Sequence, residues 1–215
     1  MNGKTDRHVL YWMDENDWKR GVQMPYRVLG TAILLMFYTC YILKMLSQRR
    51  KGIQTDQMGK GKAGSARAIE ITVKAASYLA AIAGVASVLR GTTALPVGVQ
   101  ILGACVGLTG DAVFIAAVIT MRDSWRAGVA AGEKTELVTN GIYQISRNPA
   151  FLGFDLVYVG ILLMFFNWPL CALSAFAVVM FHLQIVRVEE IFLRSAFGAE
   201  YAAYEVKVHR YLGRK

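Results

Sequence analysis

The stretch PAFLGFDLVYVGILLMFFNWPLCALSAFAVVMFHLQIV, from Pro149 to Val186, decides how this chain folds. It holds two apolar runs, Phe151 to Phe166 and Trp168 to Val186, with Asn167, Trp168 and Pro169 at the join. So tight a connection reads as an antiparallel helical hairpin. Toward the N-terminus stand three longer runs: Tyr26 to Leu46, Ile69 to Leu89, and Pro96 to Met121. At ~1.5 Å rise per residue, each is long enough to cross the ~30 Å hydrocarbon core of a bilayer. Composition agrees, with 55% hydrophobic and 18% charged residues, against ~25% charged in a water-soluble globule. A disordered chain, a nucleic-acid-binding arm and a disulfide-stapled secreted domain are all poor readings. The expected fold is all-α: a polytopic integral membrane protein of five apolar helices.

The net charge of +9 takes its meaning from where it lies. Arg49, Arg50, Lys51, Lys60, Lys62 and Arg67 fall between the first two runs; Arg122, Arg126, Lys134 and Arg147 fall between the third run and the hairpin. Arg187, Arg194, Lys207, Arg210, Arg214 and Lys215 follow it, whereas the other side receives Arg90 with Lys4, Arg7, Lys19, Arg20 and Arg27. Cytoplasmic loops carry the excess of Lys and Arg, so the N-terminus is expected outside and the C-terminus inside. Residues 1–25, with Trp12 and Trp18 among mixed charges, read as an interfacial segment. Residues 26–121 read as three transmembrane helices with a basic cytoplasmic loop at 47–68. Residues 122–215 read as a cytoplasmic loop, the hairpin at 149–186 and an amphipathic C-terminal helix. Gly59, Gly61 and Gly64 are expected to make the basic loop flexible and solvated against anionic lipid. It is no phosphate-binding loop, because Ala63 follows Gly61-Lys62 where that motif needs Ser or Thr.

Helices in lipid approach closely through small residues. Gly103 and Gly107 on the third run, and Ala80 and Gly84 on the second, are expected to pack these two spans on each other, with dimerisation of the protein the alternative use. Glu70 and Lys74, spaced i, i+4, are expected to pair near the interface. Asp111 interrupts the third run near mid-membrane, where an unpaired carboxylate is costly; it is left protonated, paired with another span, or facing a polar cavity. Cys40, Cys105 and Cys171, one in each of three runs, read as small buried hydrophobes rather than a disulfide or metal site.

Polar chemistry gathers between Met121 and Ala150. Asn148 at an N-cap and Pro149 at the first helical position start a helix facing the cytoplasm, with Arg147 beside an end suited to anions. The far end of the hairpin should lie next to it and brings Gln184, Arg187, Glu190 and Arg194 along one helical face, with Glu189 projecting elsewhere. Leu193, Phe197, Tyr201, Tyr204 and Val208 then form the apolar face of an amphipathic helix interrupted by Gly198. These residues fit a pocket where a polar cofactor meets an amphiphilic substrate. They fit equally a solvated helix whose charges pair with one another.

At these positions the chain resembles the isoprenylcysteine carboxyl methyltransferase family, related to the membrane phospholipid methyltransferases. Gly141-Ile142-Tyr143, Arg147-Asn148-Pro149, Phe151 and Gly153 match the family's Gly-Pro-Tyr-x-x-x-Arg-His-Pro-x-Tyr-x-Gly block. Arg187-Val188-Glu189-Glu190 and Leu193, then Phe197-Gly198-Ala199-Glu200-Tyr201 and Tyr204, match its second block. Asn148 stands where many members have His, and Phe151 where they have Tyr. The resemblance implies S-adenosylmethionine as methyl donor, bound in a cytosol-facing pocket by Tyr143, Arg147, Asn148, Pro149, Phe151, Gly153, Glu189, Glu190 and Tyr201. It implies Arg187 and Glu190 as the catalytic pair facing a lipophilic or prenylated acceptor, with Arg187 orienting a carboxylate bidentately. No metal is implied, and no nucleic-acid partner. A bacterial or archaeal cell membrane is expected rather than the endoplasmic reticulum. The alternatives are a membrane sterol or steroid reductase using NADPH, and a non-enzymatic scaffold or transporter, which Asp111 keeps open.

Overall fold

The computed structural model describes residues 15–128 and 136–215, with side chains from residue 23 onward. The segment before residue 15, and Lys134, lie outside the described residues. The described chain is helical and contains no strand: α1 (Glu15–Arg50), α2 (Gly64–Arg90), α3 (Val97–Met121), α4 (Pro149–Met164), α5 (Trp168–Gln184) and α6 (Glu190–Lys207). Four stretches are long and apolar enough to cross a membrane, Gln23–Arg50, Gly64–Arg90, Val97–Ser124 and Trp168–Lys207, and Pro149–Met164 is a shorter apolar helix. The chain is thus a polytopic integral membrane protein of the expected class.

The packing differs from the sequence expectation. Gly103 and Gly107 meet α4, not α2. A Cβ on Gly160 would lie 2.5 Å from the Gly107 N and 2.7 Å from the Gly103 O, and one on Gly110 would lie 2.7 Å from the Val157 N. Glycines face glycines across this seam, so two backbones touch where lipid supplies no hydrophobic drive between helices. The α2 pair is used elsewhere: Ala80 packs with Ala177 and Phe181 of α5, and Gly84 faces Ile161. The hairpin therefore lays α4 on α3 and α5 on α2. Between them Phe37, Phe114 and Phe154 form a ring cluster with centroids 4.6 to 5.2 Å apart, each such pair contributing ~0.5–1.5 kcal/mol beyond area.

The hairpin turn is fixed by Asn167, whose side chain accepts from the Leu170 N at 3.0 Å and donates to the Ser87 Oγ of α2 at 2.8 Å. Asp111 is fully buried and neither carboxylate oxygen has a partner among the described residues. The cysteines are unpaired, but Cys105 is exposed rather than buried; it lies on the outward face of α3, which in a membrane is lipid.

The basic loop is solvated along Arg49, Arg50, Lys51, Lys60 and Arg67, which are exposed, but it is folded at Thr55 and Gln57, which are buried. Gln57 N donates to Ala127 O and Ala127 N to Thr55 O, each at 2.9 Å. The buried Gln48 side chain bonds Thr55 Oγ1 and Trp125 O at 2.7 and 2.8 Å. Gly59 and Gly61 adopt φ of +77° and +65°, which only glycine takes readily. The result is a strap, residues 55–58 stitched to 125–128, across one end of the bundle. Glu70 and Lys74 do not pair with each other: Glu70 is held by Lys62 and Gly59 N, and Lys74 by Asp56.

Candidate functional site

Two of the residues that start α4 meet the last helix and the tail. Pro149 sits at the first turn, as expected, but Asn148 does not cap it through its side chain. Its Nδ2 donates instead to the Arg210 O at 3.1 Å, while Arg147 N donates to the His209 O at 3.1 Å and Gly213 N to the Ile145 O at 2.7 Å. The tail thus folds back over residues 145–148. From the other side Tyr204 Oη donates to the Tyr143 O at 2.5 Å. The apolar face expected of Leu193, Phe197, Tyr201, Tyr204 and Val208 packs inward on Leu137, and the break falls at Gly198, with φ +48° and ψ −118°.

At the centre lies a buried ion network. Arg147 Nη1 donates to Tyr201 Oη at 2.8 Å and to Glu205 Oε1 at 2.7 Å, and its Nη2 lies 3.2 Å from Glu190 Oε1. Arg210 forks onto Glu190 at 2.8 and 3.0 Å, and Arg194 reaches both Glu190, at 3.3 Å, and Glu205, at 2.8 Å. Both Glu190 oxygens are therefore occupied by three guanidinium groups. Arg147, Tyr201 and Glu190 come together as the sequence implies, yet what holds them was not foreseen. Arg194 lies on the expected face, whereas Arg210 enters the sequence reading only through the Lys and Arg asymmetry and Glu205 does not enter it; the i, i+4 spacing of Glu190 and Arg194 is the legible signal.

Arg187 lies outside this network. It is exposed and forms no ion pair with Glu190. The reason is a π-helical turn over Ile185–Glu189 that joins α5 to α6. A π turn inserts a residue relative to the 3.6-residue repeat, so the face expected to carry Gln184, Arg187 and Glu190 in line is broken between them. π turns are also concentrated at functional sites.

The same turn gives Glu189 a different neighbourhood. Gln184, Glu70 and Lys62 are the polar groups that act on the Glu189 carboxyl. Gln184 Nε2 also reaches Glu70 Oε1 at 3.2 Å, while its own Oε1 is buried with no partner. Tyr143 flanks this group: burial, reinforced by the Glu189 charge, pushes its phenol far above the usual range, so it stays a neutral donor. Glu189 and the Gln184 Oε1 thus offer acceptors in a buried setting beside the neutral Tyr143 hydroxyl.

Phe151 and Gly153 face other ways. A Cβ on Gly153 would lie 2.7 Å from the Phe114 Cβ, so this glycine belongs to the α3–α4 seam. Phe151 packs on Phe181, ring centroids 5.4 Å apart, and lines a cavity of about 310 Å³ under the strap. That cavity, walled by Tyr41, Tyr78, Phe154 and Tyr158 and reaching Ala150 at the start of α4, had no sequence signal, since its wall residues are scattered over four helices.

Residues 99–200 match the profile of the phospholipid methyltransferase family. Over 115 residues the chain is 33% identical to a probable protein-S-isoprenylcysteine O-methyltransferase of Oryza sativa subsp. indica, covering 52% of this chain and 59% of that protein. It is 41% identical over 78 residues to protein-S-isoprenylcysteine O-methyltransferase B of Arabidopsis thaliana, 35% of this chain and 39% of that one. With the Saccharomyces cerevisiae protein-S-isoprenylcysteine O-methyltransferase the identity is 38% over 72 residues, 34% and 30% of the two chains. The chain thus spans between 30% and 59% of the length of these curated relatives. The resemblance read from the two sequence blocks stands.

Proposed function

From a C-terminal half that carries the phospholipid methyltransferase pattern and resembles the isoprenylcysteine methyltransferases, we propose that this integral membrane protein is a methyltransferase. It takes S-adenosylmethionine as donor and a lipophilic acceptor, such as an isoprenylated carboxylate, at the cytoplasmic face. The observation that carries this reading is the aromatic cavity that reaches the start of α4 at Ala150 and Phe151, with the buried polar group of Glu189, Gln184 and Tyr143 close to that helix start. The cavity suits a hydrocarbon and the polar group a small cation.

When bound, the donor supplies a methyl group on a sulfonium centre, and transfer is an in-line displacement. Glu189 and the free Gln184 Oε1 accept from an ammonium group, and Tyr143 donates from a neutral hydroxyl. Glu190 takes no direct part: its oxygens hold Arg147, Arg194 and Arg210 and thereby keep α6 and the tail on residues 143–148. A carboxylate acceptor arrives deprotonated, so no side chain need act as base, and the work of the protein is to position both reactants. Arg187, exposed and not among the residues lining the cavity, is assigned no role in transfer.

Calorimetric titration of the purified protein tests the donor. S-adenosylmethionine should bind and NADPH should not, and Glu189→Gln should weaken binding ~10-fold or more, the loss of one charge-assisted hydrogen bond of ~1.5–3 kcal/mol. Binding of NADPH instead, or undiminished donor affinity in a folded Glu189→Gln protein, overturns the assignment.

A further inference from the structure

A second space lies on another face of α1, between it and α3. It is a groove of about 610 Å³ whose lining includes Leu35, Thr39, Leu43 and Lys44 of α1 and Ile115 and Val118 of α3. Leu35 and Leu43 are 62% and 60% exposed, so in a membrane the open side of the groove faces lipid. From Leu35 to Lys44 it rises ~13 Å at ~1.5 Å per residue, close to half of the ~30 Å hydrocarbon core. The groove therefore has the reach of one leaflet.

Lys44 is the charged residue of this lining, at the end nearest Arg49, Arg50 and Lys51. Its side chain is 14% exposed, and its Nζ lies 4.0 Å from Asp123 Oδ1, beyond hydrogen-bond range. Asp123 is engaged elsewhere: its Oδ2 accepts from Lys51 Nζ at 2.7 Å and its carbonyl from Gln48 Nε2 at 3.4 Å. Among the described residues Lys44 has no hydrogen-bond partner. An ammonium carries three donors, and a largely buried charge without acceptors is costly. The groove walls beside it are mostly hydrocarbon, so the acceptor has to arrive through the open side.

We propose that this groove is a binding site for an anionic phospholipid, with one acyl chain between α1 and α3 and the phosphate on Lys44 Nζ. Basic pockets between membrane helices take anionic head groups in this way. The lipid supplies an acceptor that the fold leaves out and displaces none that it holds. Phosphatidylcholine would bring a quaternary ammonium with its phosphate, toward the exposed Arg49 and Arg50; phosphatidylglycerol brings the phosphate alone. The site stands apart from the strap cavity and does not rest on the methyltransferase reading.

Full-length protein, stripped of lipid in detergent, is titrated with phosphatidylglycerol or phosphatidylcholine of matched acyl chains and read by native mass spectrometry. The first phosphatidylglycerol should bind ~10-fold or more tighter than the first phosphatidylcholine, ~1.4 kcal/mol per decade. Lys44→Gln should remove most of that preference and Lys44→Arg should keep it. Arg50→Gln, which deletes an exposed cation outside the groove, should change it by less than ~2-fold. Asp123→Asn should not weaken phosphatidylglycerol, whereas a lysine serving only Asp123 would make this variant mimic Lys44→Gln. Thr39→Trp fills the groove from an exposed position and should cost phosphatidylglycerol most of its advantage with Lys44 intact, which keeps the test decisive if Lys44→Gln does not fold. No preference in the wild type, equal losses in Lys44→Gln and Arg50→Gln, or a preference untouched by Thr39→Trp overturns the proposal. So does a dimer that Thr39→Trp dissociates without change in lipid binding, because the occupant is then a second copy of the chain.

Discussion

Replacing Glu190 by Gln should damage the fold before it damages donor binding. The side chain is 2% exposed and faces Arg147, itself 6% exposed. Removing one partner of a buried pair costs ~3–5 kcal/mol. Arg147 keeps Glu205 at 2.7 Å and Tyr201 at 2.8 Å, which argues for the lower end. Arg194 is 51% exposed, so its share is within ~1 kcal/mol. Arg210, a third exposed, retains one neutral acceptor on the amide. Because these losses share one carboxylate they do not add, and the total should be about 3 kcal/mol. At this chain length ~1 kcal/mol moves Tm by ~2–4 °C, so Tm in detergent should fall by about 6–12 °C. Glu189→Gln, outside the network, should move it far less while weakening donor binding. If Glu190→Gln melts with the wild type yet loses S-adenosylmethionine, then Glu190 is a ligand contact and the division between the two adjacent glutamates is wrong.

Gly160→Ala should destabilise the protein by about 2–3 kcal/mol, because the added carbon would sit 2.5 Å from the Gly107 N and backbone cannot give way as a side chain can; Gly98→Ala, with nothing within 4 Å, should melt like the wild type, and equal melting of the two variants would remove the glycine seam as a determinant. On intact cells, in a cysteine-free background, Ala94→Cys should react with an impermeant maleimide and Arg50→Cys only after permeabilisation, and the reverse pattern would invert the orientation drawn from the Lys and Arg asymmetry.

The membrane fold was legible because it depends on run length and on a turn. Pro149 to Val186 could hardly be anything but a hairpin, and Asn167 fixes its turn. Pairing of helices was not legible, since Gly103 and Gly107 say that a backbone approaches closely but not which one; Gly153 and Gly160 on α4 were the missing half. In the site, Arg147, Glu190 and Tyr201 came together through their motif spacing. Arg187 did not, because a π turn shifts phase without any change in composition that a periodicity count could register. The strap was hidden for a related reason: glycine beside lysine reads as solvated chain, as its exposed lysines are, while the buried Gln48 and the bridge between residues 55–57 and Ala127 are long-range pairings that no local pattern encodes.

The glycine seam also bears on how the chain enters its membrane. A helix of 16 residues, Pro149–Met164, rises ~24 Å and falls short of a ~30 Å hydrocarbon layer, so lipid alone gives it a poor berth. What it lacks in length it gains from the trough that α3 offers along Gly103, Gly107 and Gly110. Biogenesis therefore has an order: α3 must already be in place as a docking wall, α4 settles against protein rather than solvating independently in lipid, and the Asn167 turn then delivers α5 to α2.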